Sequence, residues 1–165
     1  MCFYSLCSAA EYPRRSTVPN TLKSLLANHP DTAPAIGAPD RDWLSYGGLR
    51  SLAASVATEL HAAGVGRGDR VAIVLPNGPE MATAFVTVAQ TSVTAPLNPA
   101  YREDEFAFYL EDLRAKAIVV LSDEDGPAFK AAQKLGISIL RVNVEAGAQA
   151  GQFSLSPDAT STCDT

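Results

Sequence analysis

The stretch Gly64–Asn77, GVGRGDRVAIVLPN, decides the fold of this 165-residue chain. A glycine turn feeds Val71–Leu75, VAIVL, in which every position is apolar. A half-solvated strand would alternate apolar with polar residues; an unbroken apolar run is buried on both faces, as in a parallel sheet covered by helices. Working outward, Ala117–Leu121, AIVVL, repeats the signature. Val93–Leu97 and Ser138–Val142 complete a series of four strands.

Helical patterns separate these strands. Pro79–Gln90 carries Met81, Ala84, Phe85 and Val88 on its apolar side, and Glu103–Leu113 turns Phe106, Leu110 and Leu113 inward. The acidic start of the second suits the positive end of the helix dipole. A third helix spans about Pro127–Leu135. The resulting β-α-β-α-β-α-β alternation predicts an α/β fold: a mostly parallel sheet with right-handed crossovers and helices on both faces.

A short helix and a β-hairpin precede it. Asn20 or Thr21 caps TLKSLLANH, which Pro30 ends. Ala33–Gly37 and Asp42–Ser45 flank a Pro-Asp-Arg corner and read as the hairpin. Ser45 then caps a long helix whose Leu49, Leu52, Ala53, Val56, Ala57 and Leu60 share one face, with Gly64 closing it. By domain, residues 1–18 read as a flexible extension and 19–144 as one α/β subdomain. Residues 145–165, rich in Ala, Gly, Ser, Gln and Thr, read as a linker or disordered tail.

A hydrophobic fraction of 47% with 19% charged residues is that of a folded domain rather than a disordered chain. The net charge of -5 gives no basic footprint for a nucleic acid backbone. No run reaches the ~20 apolar residues that cross a bilayer. The opening MCFYSLCSAA has its arginines, Arg14 and Arg15, after the apolar stretch rather than before it, so it is a poor secretory signal. Cys163-Asp164-Thr165 is not a peroxisomal address. Cys2, Cys7 and Cys163 are odd in number and confined to the ends, which describes neither a disulfide framework nor a zinc site. Free thiols in a cytoplasmic protein are expected.

The candidate sites all have structural rivals. GVGRG at Gly64–Gly68 follows a helix and precedes a strand, the reverse of a dinucleotide loop, so it reads as a helix end and turn. Asn77-Gly78 sits at the carboxyl end of the best strand, where an anion could bind, but Asn77 is expected simply to cap the next helix. The clusters Glu103–Glu105, Glu111–Asp112 and Asp123–Asp125 read as solvated charge rather than metal ligands. His29 and His61 fall in a turn and in a last helical turn, with no nucleophile motif near either. No catalytic, cofactor-binding or metal-binding residue is assigned.

In sequence order, Leu44-Ser45-Tyr46 with Leu49, then GVGRGDRVAIVLPNGPE, then PLNPAYREDEFAFYLED, resemble the opening of the adenylate-forming (AMP-dependent) acyl-CoA synthetases. The last stretch looks most like oxalate–CoA ligase and related small-acid or fatty acyl-CoA synthetases. The resemblance covers roughly Thr21–Val142. Where many members place Gly just before the Pro-Leu-Asn segment, this chain has Gln90-Thr91-Ser92.

That resemblance implies a partial N-terminal subdomain of an enzyme that uses ATP, Mg2+ and CoA to activate a carboxylic acid. The family grips phosphate with a Ser/Thr/Gly-rich loop ending in Pro-Lys, followed later by a lid carrying a lysine. Thr160-Ser161-Thr162 lacks the glycines and the lysine. The expectation is therefore an inactive N-terminal fragment that binds none of these ligands tightly by itself. It would miss the remainder of its domain and tend to self-associate through an unfinished sheet. The other readings at this point are a standalone flavodoxin-like binding module and a regulatory remnant pairing with a full-length synthetase.

Overall fold

The computed structural model describes residues 21–123 and 125–158. Helix α1 (Leu22–Ala27) leads into the antiparallel hairpin β1 (Pro34–Ala38) and β2 (Arg41–Ser45), and then the long helix α2 (Tyr46–Ala62). Strand β3 (Arg70–Ile73), α3 (Pro79–Val88), β4 (Val93–Pro96), α4 (Glu103–Leu113), β5 (Ala115–Leu121), α5 (Pro127–Lys134) and β6 (Ser138–Asn143) follow as alternating units. Strand β7 (Ser154–Pro157) ends the described chain. Thr21 caps α1 by accepting from the Ser24 backbone N–H, and Ser45 caps α2 by accepting from that of Gly48.

The main sheet has the order β4-β3-β5-β6-β7, parallel except for β7, which runs antiparallel to β6. Its two faces explain the unbroken apolar strands. Val71, Ile73 and Leu75 enter one core with Val56 and Leu60 of α2 and Ala84 and Val88 of α3. Ala72 and Val74 enter the other, with Phe106 and Leu110 of α4 and Ala128, Ala131 and Ala132 of α5. Successive strand residues point to opposite faces, so a strand sandwiched between helices must be apolar at every step. The predicted α/β class, with helices on both faces after a helix and hairpin, is the observed one.

Two expectations are corrected here. The stretch from residue 145, read as a linker or disordered tail, is ordered through Asp158 and contains β7. Its sequence is polar because β7 is an edge strand with one inward residue: Leu155 is buried, while Ser154 and Pro157 are exposed. Proline is tolerated at such an edge. The preceding loop buries Ala150 and Phe153 and is tied down from a distance. Arg41 donates to the carbonyls of Ala148 (3.3 Å) and Gln149 (2.7 Å), and Ala150 N–H donates to Asp42 O at 2.8 Å. The expected extension at 1–18 lies outside the described residues, as do Cys2, Cys7 and Cys163.

The second correction concerns α3. Thr83, Ala84, Thr87 and Val88 are buried, whereas Phe85 is 40% exposed. The inward face is turned by one residue from the apolar stripe. Backbone passes so close to Thr83 that a small side chain is required, and Thr83 Oγ1 donates to Gly151 O at 2.7 Å. Thr87 Oγ1 donates to Thr83 O at 2.7 Å. Each hydroxyl is satisfied by a carbonyl, which removes most of the cost of burying it.

Candidate functional site

The carboxyl edge of the parallel strands is where an open α/β sheet binds ligands, at the point where the strand order reverses. Here that point lies between β3 and β5: the chain leaves β3 for β4 on one side, then crosses to β5 on the other. That edge is formed by the turn after β3, the turn after β5, and the first turns of α3 and α5.

Chemically, this edge is occupied by pairs within the protein. Gly78, not Asn77, is the N-cap of α3, so the expected Asn77 cap is corrected; Pro79 follows as a pre-shaped first helical residue. Glu80 places its carboxylate in the first turn, where the helix dipole favours it. Arg41 Nη1, from β2, meets Glu80 Oε1 at 2.6 Å. That guanidinium therefore spans Glu80 and two carbonyls of the β6–β7 loop.

A second arginine organises the β5 side. Arg141 Nε donates to Asp158 Oδ1 and Nη2 to Asp125 Oδ1, each at 2.8 Å. Nη1 lies within reach of the Leu121 and Ser122 carbonyls, and the guanidinium carbon sits 4.4 Å from the Phe129 ring centroid. Burial works against its charge, but the hydrogen bonds and charges of Asp125 and Asp158 prevail and raise its pKa above the ordinary value. It remains a cation throughout the accessible pH range.

The other sequence candidates are dispersed. Gly64, with φ +75°, closes α2, and Asp69 Oδ2 accepts from Gly66 N–H at 2.8 Å; both lie at the amino edge, before β3. His29 stacks on Tyr46 with centroids 4.1 Å apart, while His61 is exposed in the last turn of α2. Glu103 pairs with Lys134, Glu105 accepts from Arg102 N–H, and Glu111 and Asp112 are exposed on α4. Of the Asp123–Asp125 cluster, Asp125 serves Arg141, and Glu124 lies outside the described residues. The Tyr101 hydroxyl is held protonated beyond the usual phenol range by its hydrogen bond with Tyr109. Among the described residues no group of three or more His, Cys, Asp or Glu is arranged to hold a metal.

The two clamped arginines offer no open site for a nucleoside triphosphate. Phosphoryl transfer needs cations and N–H donors free to meet developing negative charge. At this edge Arg41 and Arg141 both serve carboxylates and Asp123 and Asp125 add exposed negative charge, while Arg102 before α4 and Lys130 in the first turn of α5 are exposed and, among the described residues, in no ion pair. Sequence reading missed both clamps, because pairs 39 and 17 positions apart leave no local pattern.

Comparison with known proteins supplies the wider setting. The profile of the family described as AMP-binding enzyme matches residues 22–161. A probable CoA ligase from Humulus lupulus, CCL9, is 35% identical over 122 residues, spanning 73% of this chain and 23% of that protein. Oxalate–CoA ligase from Arabidopsis thaliana is 36% identical over 124 residues, spanning 72% of this chain and 24% of its own. Among solved structures, apo MatB from Rhodopseudomonas palustris superposes with a TM-score of 0.65 at 26% identity, over 74% of this chain and 25% of that one. The chain thus spans about a quarter of the length of the relatives it matches.

Proposed function

This chain belongs to the AMP-binding enzyme family, and on that premise we propose that the matched residues, β7 included, are the opening α/β subdomain of an acyl-CoA synthetase. In that reaction a carboxylate oxygen attacks the α-phosphorus of MgATP and pyrophosphate departs. The thiol sulfur of CoA then attacks the acyl carbon and AMP leaves, giving the thioester. Likeness both to an oxalate–CoA ligase and to a long-chain-fatty-acid–CoA ligase fits a small or a fatty carboxylic acid as the substrate of the whole enzyme. The cysteine pattern favours a cytoplasmic setting.

The observation that carries the reading is the ordered match over 22–161, which spans about a quarter of the length of the relatives it matches. These residues act as scaffold, and the phosphate-binding groups come from elsewhere in the synthetase. Incubated with MgATP, CoA and oxalate, malonate, benzoate or octanoate, the 165-residue polypeptide is expected to release no pyrophosphate above buffer. Grafted in place of the matching quarter of the Arabidopsis oxalate–CoA ligase, the same residues are expected to support turnover. Pyrophosphate release by the isolated polypeptide, or a folded but inert graft, overturns the assignment.

A physical consequence concerns the isolated polypeptide. Strand β4 is an edge of the sheet, and Phe85, Val93 and Phe108 are exposed. Unpaired strand edges and apolar side chains invite self-pairing. Sedimentation equilibrium is expected to give an apparent mass that rises with concentration. A strict monomer at the highest attainable concentration contradicts this.

A further inference from the structure

Trp43 is the chain's single tryptophan, and it is 61% exposed on the outer side of the β1–β2 hairpin. Its position is fixed by its neighbour. A Cβ built on Gly37 would fall 2.7 Å from the indole ring, so the ring lies directly against the Gly37 backbone. One part of the ring is backed by the opposite strand, and the rest faces solvent. An aromatic group held rigid in this way loses little conformational entropy when something stacks on it.

Beside the ring runs an open groove of about 600 Å3, in the size range of small ligand sites; its walls include Asp40, Arg41, Asp42 and Trp43 on the hairpin, with Gly147 and Ala148 opposite. Arg41 does not neutralise this groove, because its guanidinium is committed to Glu80, Ala148 O and Gln149 O. Asp40 and Asp42 are exposed, and among the described residues no Lys or Arg pairs with either carboxylate. The groove therefore combines an anchored π-face, two carboxylates without a cationic partner, and a chain of net charge -5.

We propose that this face of the hairpin docks an arginine-bearing segment of a partner protein, with the guanidinium stacked on Trp43 and steered by Asp40 and Asp42. Arginine fits better than lysine because its planar, weakly hydrated head stacks on an aromatic ring while still donating to carboxylates. Exposed tryptophan is also the residue type most enriched among interface anchors. The proposal stands on the hairpin and the facing loop at Gly147 and Ala148, and does not depend on the synthetase reading.

The lone indole makes the test direct. The full chain is titrated with the peptide acetyl-Gly-Arg-Gly-Arg-Gly-amide while Trp43 fluorescence is followed at low salt. A saturable change is expected, with binding about threefold to tenfold weaker in D40N/D42N, in keeping with two exposed ion pairs. Asparagine is chosen because Asp40 has φ +56°, a conformation Asn also tolerates. Replacing Arg by Lys in the peptide should weaken binding, and Glu should abolish it. By calorimetry, W43L should lose the arginine preference while its circular dichroism stays native. An unsaturable response, equal response in D40N/D42N, or no preference for Arg over Lys overturns the proposal. So does a fluorescence change driven by protein concentration alone, which would assign the face to a second copy.

Discussion

Gly151→Ala is expected to destabilise the domain by about 2–5 kcal/mol, whereas Gly64→Ala costs only about 1–2 kcal/mol. The two glycines share a backbone conformation, with φ +76° and +75°. Each replacement therefore carries the same strain of placing an L side chain in the left-handed region. Their surroundings differ. A Cβ at Gly64 meets nothing within 4 Å, while at Gly151 it would lie 2.6 Å from Thr83 Cγ2 and 2.8 Å from Pro79 O. The second neighbour is backbone and cannot rotate away, so the loop must lift from α3 and stretch the Thr83 Oγ1–Gly151 O bond. The difference between the two variants isolates this contact, at about 1–3 kcal/mol for overpacking. Urea unfolding of both gives that difference. Hydrogen exchange should show faster opening of 149–157 in Gly151→Ala alone. Equal costs would mean that the loop does not rest on α3.

The same contact explains what the sequence conceals. Strands β3 and β5 are legible because both of their faces are buried, so VAIVL and AIVVL have no competing reading. Strand β7 is hidden because an edge strand needs one inward apolar residue, and Leu155 between serines looks like loop. Helix α3 is misread by one position because Phe85 outweighs Thr83 and Thr87 on any apolar scale. Only the approach of Gly151, 68 residues along the chain, shows why the threonines face inward. At the candidate site the glycine turn and the acidic helix start follow from local rules. The Arg41–Glu80 and Arg141–Asp158 clamps do not, because pairing across the fold is set by topology rather than by spacing.

Arg141→Ala is expected to cost about 2–4 kcal/mol, close to the range for removing one partner of a buried ion pair. Arg141 and Asp158 keep only 12% and 11% of their side-chain surface exposed, so solvent compensates little for the lost bond. The same substitution removes the donors to the β5–α5 turn and the cation over Phe129. Asp125→Ala should cost under about 1 kcal/mol, since that carboxylate is 76% exposed and its attraction is screened by water. Arg141→Met separates packing from charge: it keeps an apolar stem against Phe129 but leaves the Asp158 carboxylate facing a thioether. If charge pairing dominates, Arg141→Met is nearly as destabilising as alanine, and adding Asp158→Asn recovers part of the loss. A double-mutant cycle on urea unfolding should give a coupling of about 0.5–3 kcal/mol. Arg141 joins β6, the turn after β5 and the end of β7. Its loss should therefore accelerate hydrogen exchange at both 121–126 and 154–158, a joint response that damage to one strand alone would not give. A coupling near zero with exchange changed in only one segment would reduce Arg141 to a packing residue of β6.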